Sequence, residues 1–431
     1  MKVSLKILIV ALALLGLNAC KEQEIQKEDK IQTKKEVTAK DILGNPEYLA
    51  ISYGGYKDDT RDARLQPTLR EIKEDLRILH AIGIRVLRTY NVHFPHASNI
   101  LAAIRQLSAE DPDFEMYVML GAWIDCKNAW TDLAPDHEVE SEQNEGEIAR
   151  VVALANAYPD IVKVVAVGNE AMVKWAASYY VQPRVILKWV EYLQKLKAEG
   201  KLPAALWITS SDDFASWGGG DKEYHTEDLK KLVEAVDFIS MHTYPYHNSH
   251  YNPEFWRVPE AEENASETEK IDAAMVRATA FAKAQYQAVS DYVKSLGFNK
   301  PVHIGETGWA SVSNGHYGPE GSRATDEYKQ ALYYKQIRNW TNAEGISCFF
   351  FEAFNEPWKD AANKMGSENH FGLFTVDGIA KYALWDAVDQ GVFQGLTRNG
   401  NPIEKTFGGN RDSLMQGVLI PPSQNEKAAA H

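Results

Sequence analysis

Short apolar runs and helical stripes alternate along most of this chain. From position 49 onward the apolar runs recur at 49–53, 85–90, 116–122, 162–167, 205–210, 238–243, 302–306 and 347–352. Between most of them the spacing of apolar residues becomes helical. The stretch 68–82 is representative. Thr68 and Glu71 form a capping box, Leu69, Ile72, Leu76 and Leu79 share one helical face, and Gly83 is placed to end the helix. The longest helical stretch, about 268–296, is Ala-rich and again meets a glycine, Gly297. Eight strand–helix units without hairpin turn signals predict a parallel sheet, and eight predict its closure into a (β/α)8 TIM barrel with one catalytic domain. An open doubly wound sheet is the rival, but no G-x-G-x-x-G follows the first strand.

The pattern changes at both ends. Lys2 and Lys6 precede an apolar run from Ile7 to Leu17 that has secretory length and is too short to span a bilayer. It leads into Leu17-Asn18-Ala19-Cys20, which resembles a bacterial lipobox, with Asn18 the less usual residue. That resemblance implies a signal peptide over 1–19, lipid on Cys20 and membrane attachment in the cell envelope. An ordinary secretory signal with an incidental cysteine is the alternative. Residues 20–43 then read as the lipidated cysteine and a solvated tether, rich in Lys, Glu and Gln. Lys21-Glu22-Gln23-Glu24 resembles the charged sorting signal of surface lipoproteins in some Gram-negative bacteria, which implies outer-membrane placement; a merely hydrophilic linker is equally consistent. The barrel domain is expected over 44–400 and a C-terminal tail over 401–431, loosely ordered from about Pro421.

At 431 residues, with 45% hydrophobic and 11% aromatic positions, the chain can bury a large core. Twenty Tyr and eleven Trp exceed what a core requires, so some line a surface or cleft. A net charge of −14 argues against nucleic acid and suits a neutral partner. Besides Cys20 only Cys126 and Cys348 are present, too few for a disulfide framework or a four-ligand zinc site, so buried free thiols are expected.

Two stretches carry the candidate chemistry. Val302-His303-Ile304-Gly305-Glu306-Thr307-Gly308-Trp309 delivers a carboxylate to a strand end with glycines on both sides and an aromatic beside it. Val164-Val165-Ala166-Val167-Gly168-Asn169-Glu170 has the same layout. A single glutamate at a strand end is weak evidence. Two of them, after the fourth and seventh strands on the functional face of a barrel, suit glycosidic cleavage, which needs a proton donor and a second carboxylate at the anomeric centre.

These stretches resemble glycoside hydrolase family 17, the β-1,3-glucanases, and the resemblance runs from about Tyr53 to Tyr382. Tyr53-Gly54 is similar to the end of the family's first strand, Arg88-Thr89-Tyr90 to its second-strand Arg-x-Tyr, and Tyr244-Pro245-Tyr246 to its sixth-strand Tyr-Pro-Tyr. Phe354-Asn355-Glu356, Lys359 and Glu368-x-x-Phe371-Gly372-Leu373-Phe374 resemble its last-strand motif. Two departures, Pro357-Trp358 for a polar pair and His242 for the Asn of plant members, bear on fine specificity. The resemblance implies retaining hydrolysis of β-1,3-glucan of the laminarin type, endo action favoured, with Glu170 as general acid/base and Glu306 as nucleophile. It implies substrate contacts from Tyr53, Tyr90, Asn169, Tyr244, Tyr246, Trp309, Glu356, Lys359 and Glu368, and no cofactor or metal.

The residues fit those roles. Asn169 offers an amide to the sugar 2-hydroxyl, Tyr244 a hydrogen bond to an ionised Glu306, and the charge on Glu306 favours a protonated Glu170. Tyr244 as plain core aromatic, and Glu356, Lys359 and Glu368 as a structural ion-pair cluster, are the bland readings. Trp123, Trp130, Trp175, Trp217, Trp309 and Trp358 all follow predicted strand ends. Pyranose rings present apolar C–H faces, so these are candidate stacking platforms; each alone reads equally well as core. His242, His247 and His250 cluster after the sixth strand without a carboxylate pattern for a metal. Gly218-Gly219-Gly220 lacks the Lys-Ser/Thr of a phosphate loop, and no G-x-S-x-G or H-E-x-x-H occurs. A transglycosylase using the same carboxylates is the rival activity. A non-catalytic surface glycan-binding lipoprotein is the rival of another class, although a pure binder has no need of two glutamates so placed.

Overall fold

The computed structural model describes residues 37–62 and 64–426. Eight parallel strands close into a barrel: β1 (Leu49–Ser52), β2 (Ile84–Arg88), β3 (Tyr117–Ala122), β4 (Val162–Asn169), β5 (Trp207–Asp213), β6 (Ile239–His242), β7 (Val302–Gly308) and β8 (Cys348–Phe351). Each strand pairs with its sequence neighbours, and β1 pairs with β8 to close the ring. The barrel is thus the (β/α)8 fold that the alternating pattern predicts, and all eight runs supply its strands.

Seven helices cross between successive strands: α1 (Leu69–Ala81), α2 (His96–Glu110), α3 (Gln143–Ala157), α4 (Pro183–Ala198), α5 (Glu227–Ala235), α6 (Glu267–Ser295) and α7 (Glu327–Ala343). The capping box is present at α1, where Thr68 accepts from the Glu71 amide and Glu71 reaches back, and Gly83 follows the helix at φ +83°. A second box, Ser266 with Glu269, opens α6, and Gly297 follows it at φ +87°. Those glycines stand where left-handed backbone would strain any other residue.

Both boundaries of the barrel lie outside the expected ones. Cys20 and the lipobox fall outside the described residues, but the tether ends sooner than position 43. Ala39–Ile42 is a short helix whose Ala39 and Ile42 are fully buried, and the Gly44 amide donates to Ser347 Oγ at 2.8 Å, just before β8. Few apolar residues there sufficed to bury the segment, which composition averages hide. At the other end, Asn401–Pro402 pairs with Thr397–Arg398, Leu414 is buried, and the Gln424 amide donates to the Val258 carbonyl at 2.9 Å. The chain through 426 therefore packs on the barrel as part of it. Arg398 goes furthest back. Its guanidinium pairs with Asp75 of α1 at 2.7 Å and stacks on Phe354 at 3.8 Å, and Asp75 also accepts from the Tyr53 hydroxyl at 2.9 Å.

One element has no counterpart in the sequence pattern. Between β3 and α3 lies a two-stranded hairpin, Cys126–Lys127 with Asp136–Glu140, whose Glu140 accepts from the Trp189 indole of α4 at 2.7 Å. Cys126, on this hairpin, and Cys348, on β8, are both buried and free.

Candidate active site

The strand ends near Glu170 and Glu306 are built for close approach. Gly305, on β7, would carry a Cβ only 2.0 Å from Ser240 Oγ and 2.6 Å from Ser211 Oγ, so only glycine lets β7 pass its neighbours here. On β4 the backbone turns left-handed at Gly168 (φ +82°) and again at Glu170 (φ +46°). A non-glycine residue in that region is uncommon and clusters at functional sites. The turn is held by the Glu170 amide, which donates to the Ser211 carbonyl at 3.0 Å.

These features bring the two carboxylates together. One oxygen each of Glu170 and Glu306 and one nitrogen of His242 all lie within 4.8 Å of one another. That separation matches the ~5–5.5 Å pair of retaining glycosidases rather than the roughly 6.5–9.5 Å of inverting ones.

Their surroundings differ. Glu306 accepts from the Tyr244 hydroxyl at 2.5 Å, from the Tyr90 hydroxyl at 2.7 Å and from the Arg88 guanidinium. Burial pushes its carboxyl up, but Arg88 first, then the neighbouring donors, overcome that and hold it at about 2. The Glu170 side chain meets His242 Nδ1 at 3.0 Å. Burial first and the charge on Glu306 second push Glu170 up to about 8. His242 is itself buried, which pulls it down to about 4, so its imidazole is neutral at neutral pH. Its other nitrogen meets Ser211 Oγ at 2.8 Å. The site thus holds one protonated and one ionised carboxyl face to face, the division of labour that acid-assisted nucleophilic displacement requires.

Glu170, His242 and Glu306 are the one grouping of potential metal-ligating side chains among the described residues. Arg88 already supplies a positive charge there. His247 faces elsewhere, to the Tyr317 hydroxyl at 3.0 Å.

A cleft of about 680 Å³ opens over this pair. Tyr53, Tyr90, Asn169, Glu356, Lys359 and Glu368 all line it with Glu170 and Glu306. Tyr53 turns its hydroxyl away to Asp75. Asn169 gives its carbonyl oxygen to Arg88 at 2.5 Å, which leaves its amide nitrogen for a ligand. Lys359 sits 3.4 Å from Glu356 and 3.3 Å from Glu352, a buried carboxylate absent from the expected set. Glu356 packs so tightly on the first strand that a Cβ at Gly54 would lie 1.9 Å from its Oε1.

Two expected substrate contacts lie elsewhere. Trp309 is fully buried, donates from its indole to the Ala324 carbonyl at 2.8 Å and packs on Tyr333 of α7 at 5.1 Å. Tyr246 is equally buried, against Trp309 and Phe371. The reason is strand parity. Successive residues face opposite sides, so with Glu306 inward, Thr307 and Trp309 face α7, and the Thr307 hydroxyl meets the Tyr333 hydroxyl at 2.7 Å. Tyr246 lies on the helix Pro245–Tyr251, beyond the strand end, and turns behind the cleft.

Of the other tryptophans, Trp217 is buried, and Trp175 is exposed but does not line the cleft. Trp123, Trp130 and Trp358 do line it, although Arg61 covers the Trp358 ring at 3.6 Å. Sequence reasoning passed over Arg88 as more than a family motif and His242 as a partner of Glu170. A basic side chain closing an apolar strand was the available signal, since a buried charge needs a carboxylate.

Comparison with known proteins bears on this geometry. The BtgE/BtgC glycoside hydrolase domain matches residues 50–372. The crystal structure of an endo-laminarinase from Formosa Hel1_33_131 is 65% identical, with a TM-score of 0.89 over 92% of this chain and 100% of its own. A glucan 1,3-beta-glucosidase of Arthroderma benhamiae is 26% identical over 321 residues, 72% of this chain and 83% of its own length. An active-site mutant of a Rhizomucor miehei beta-1,3-glucanosyltransferase, in complex with laminaritriose, shares the fold at 20% identity and a TM-score of 0.52, over 78% of this chain and 96% of its own.

Proposed function

The chain belongs to the BtgE/BtgC glycoside hydrolase family, and from the facing pair Glu170 and Glu306 we propose that it hydrolyses internal β-1,3-glucosidic bonds of a laminarin-type glucan with retention. The observation that carries this is the opposite protonation of two carboxyls within 4.8 Å. Glu306, ionised, attacks the anomeric carbon while Glu170 gives its proton to the departing glycosidic oxygen. The bond to that oxygen breaks and a glycosyl ester to Glu306 forms. Glu170, now a carboxylate, takes a proton from water, whose oxygen attacks from the face the first leaving oxygen departed from, opposite Glu306, and breaks the ester bond, so the β-configuration returns. The free amide of Asn169 stands beside the acid for the sugar 2-hydroxyl.

Digestion of laminarin followed by product size tests the reading. A ladder of oligosaccharides early in the digest is expected. Glucose alone would mean exo action, products longer than a starting oligosaccharide would mean transfer, and an α-configured first product would sink retention.

We also infer that lipid on Cys20 anchors the protein in the cell envelope, on its lipobox-like context. No helix among the described residues is long and apolar enough to cross a membrane. One acyl chain binds a membrane only marginally and two or three bind stably, so Cys20→Ser should move the protein to the soluble fraction with its specific activity unchanged. Persistent membrane association of that variant would rule out the anchor.

A further inference from the structure

The wall of the cleft on the Glu170 side carries three aromatic rings, and one of them comes from the hairpin that the barrel does not need. The turn of that hairpin holds Asn128 at φ +66° and Trp130 at φ +62°. A bulky residue takes left-handed backbone only where its surroundings impose it. Burial does not explain Trp130, which remains 61% exposed. Its ring instead lies on Tyr179, with centroids 5.1 Å apart and planes 23° apart. Trp123 closes the group, 5.2 Å from Tyr179 and 6.3 Å from Trp130. All three line the cleft that contains Glu170 and Glu306.

The order of the strands gives this wall a direction, resting on the hydrolytic reading above. Glu170 protonates the departing oxygen, so the part of the glucan that leaves extends past Glu170 and away from Glu306. Trp123 follows β3 and Tyr179 follows β4, the strand just before Glu170, and β3 pairs with β4. Glu356, Trp358 and Lys359 follow β8, which pairs with β7 and Glu306. The half where the glycosyl ester forms thus carries the Glu356–Lys359 ion pair, and the half that departs meets the Trp123–Trp130–Tyr179 group. Asp125, Gln143 and Arg150 line the cleft around the aromatic group. They offer partners for hydroxyls, while the rings meet the apolar C–H faces of a pyranose.

We propose that Trp130, backed by Tyr179 and Trp123, is the platform for a glucosyl residue of the departing half, and that it sets how strongly the enzyme favours substrates with a long departing half. Removing one stacked ring should lower affinity for that half by about tenfold. The ring is mostly in solvent, so its loss should leave the fold intact.

The test compares kcat/KM of the unmutated protein, Trp130→Ala and Trp130→Phe on two substrates: long linear laminari-oligosaccharides, and a laminari-oligosaccharyl β-fluoride, whose leaving group is a single atom. Trp130→Ala should lose about tenfold on the oligosaccharides and less than about twofold on the fluoride, and Trp130→Phe should recover most of the loss. Equal losses on both substrates would overturn the proposal, as would no loss on either. An unmutated protein that turns over neither substrate would sink the hydrolytic reading and this inference with it. One that cuts both, with Trp130→Ala indifferent to what departs, would sink this inference alone.

Discussion

Glu306→Ala should abolish turnover of both glucan and an aryl β-laminarioside with a good leaving group, whereas Glu170→Ala should spare the first step on the aryl substrate and stall at the second. The asymmetry follows from what each carboxyl supplies. Without Glu306 nothing attacks the anomeric carbon. Without Glu170 a poor leaving group loses its proton donor, which costs roughly 10²–10⁴-fold, but an aryl oxide departs unaided and the glycosyl ester accumulates. Azide separates the two further. In Glu170→Ala it intercepts the ester and gives the β-glycosyl azide; in Glu306→Ala it attacks from the vacated side and gives the α-azide. The opposite anomers would exchange the two roles.

The pH profile should carry the same signature. Activity requires Glu306 ionised, so it falls as pH drops through about 2. It requires Glu170 protonated, so it falls as pH rises through about 8. Because the charge on Glu306 helps to raise Glu170, Glu306→Gln should lower the titration of Glu170, followed by its carboxyl infrared band. An unmoved band would mean that burial alone sets it.

Arg88→Met should be nearly as damaging, by another route. Arg88 is 1% exposed and ties Glu306, the Gly305 carbonyl at 3.1 Å and Asn169 together. Its removal leaves a buried carboxylate without its cation, a loss of about 3–5 kcal/mol if the charge stays. Glu306 escapes that penalty by taking a proton, which ends its use as a nucleophile. The expected result is a fall in kcat of about 10²–10³, the scale for losing one preorganised charge-stabilising group, with the acid limb of the pH profile moved upward. Arg88→Lys keeps the charge but not the planar fork. It should return the limb towards its original position and recover only part of kcat. If Arg88→Met leaves the acid limb where it was, Arg88 is not what keeps Glu306 ionised.

The barrel was legible because each of its strands is a compact apolar run and each crossover helix shows a face or a cap. Glu170 and Glu306 were legible because glycine and a strand end flag a carboxylate placed for approach. Tyr246 and Trp309 misled because an aromatic just past a strand reads the same whether it faces cleft or helix. Parity counted from Glu306 would have turned Trp309 away; Tyr246, past the strand, has no such count. The hairpin that carries Trp130 has no periodicity to read, and the placement of its Trp130 depends on Tyr179, distant in the chain. The ends misled through composition: Ala39, Ile42 and Leu414 are few among polar neighbours, yet they are buried and anchor their segments.

The pairing of Arg398 with Asp75 spans 323 residues, and this sets a schedule for the protein during its synthesis. Strand β1, Tyr53 and α1 leave the ribosome first, and the cation that neutralises Asp75 and braces Tyr53 arrives only after both glutamates and after β8. The floor of the cleft is finished from its far end. A nascent chain released before Arg398 would contain every group of the proposed reaction and still lack the clasp that fixes Tyr53 in the cleft lining.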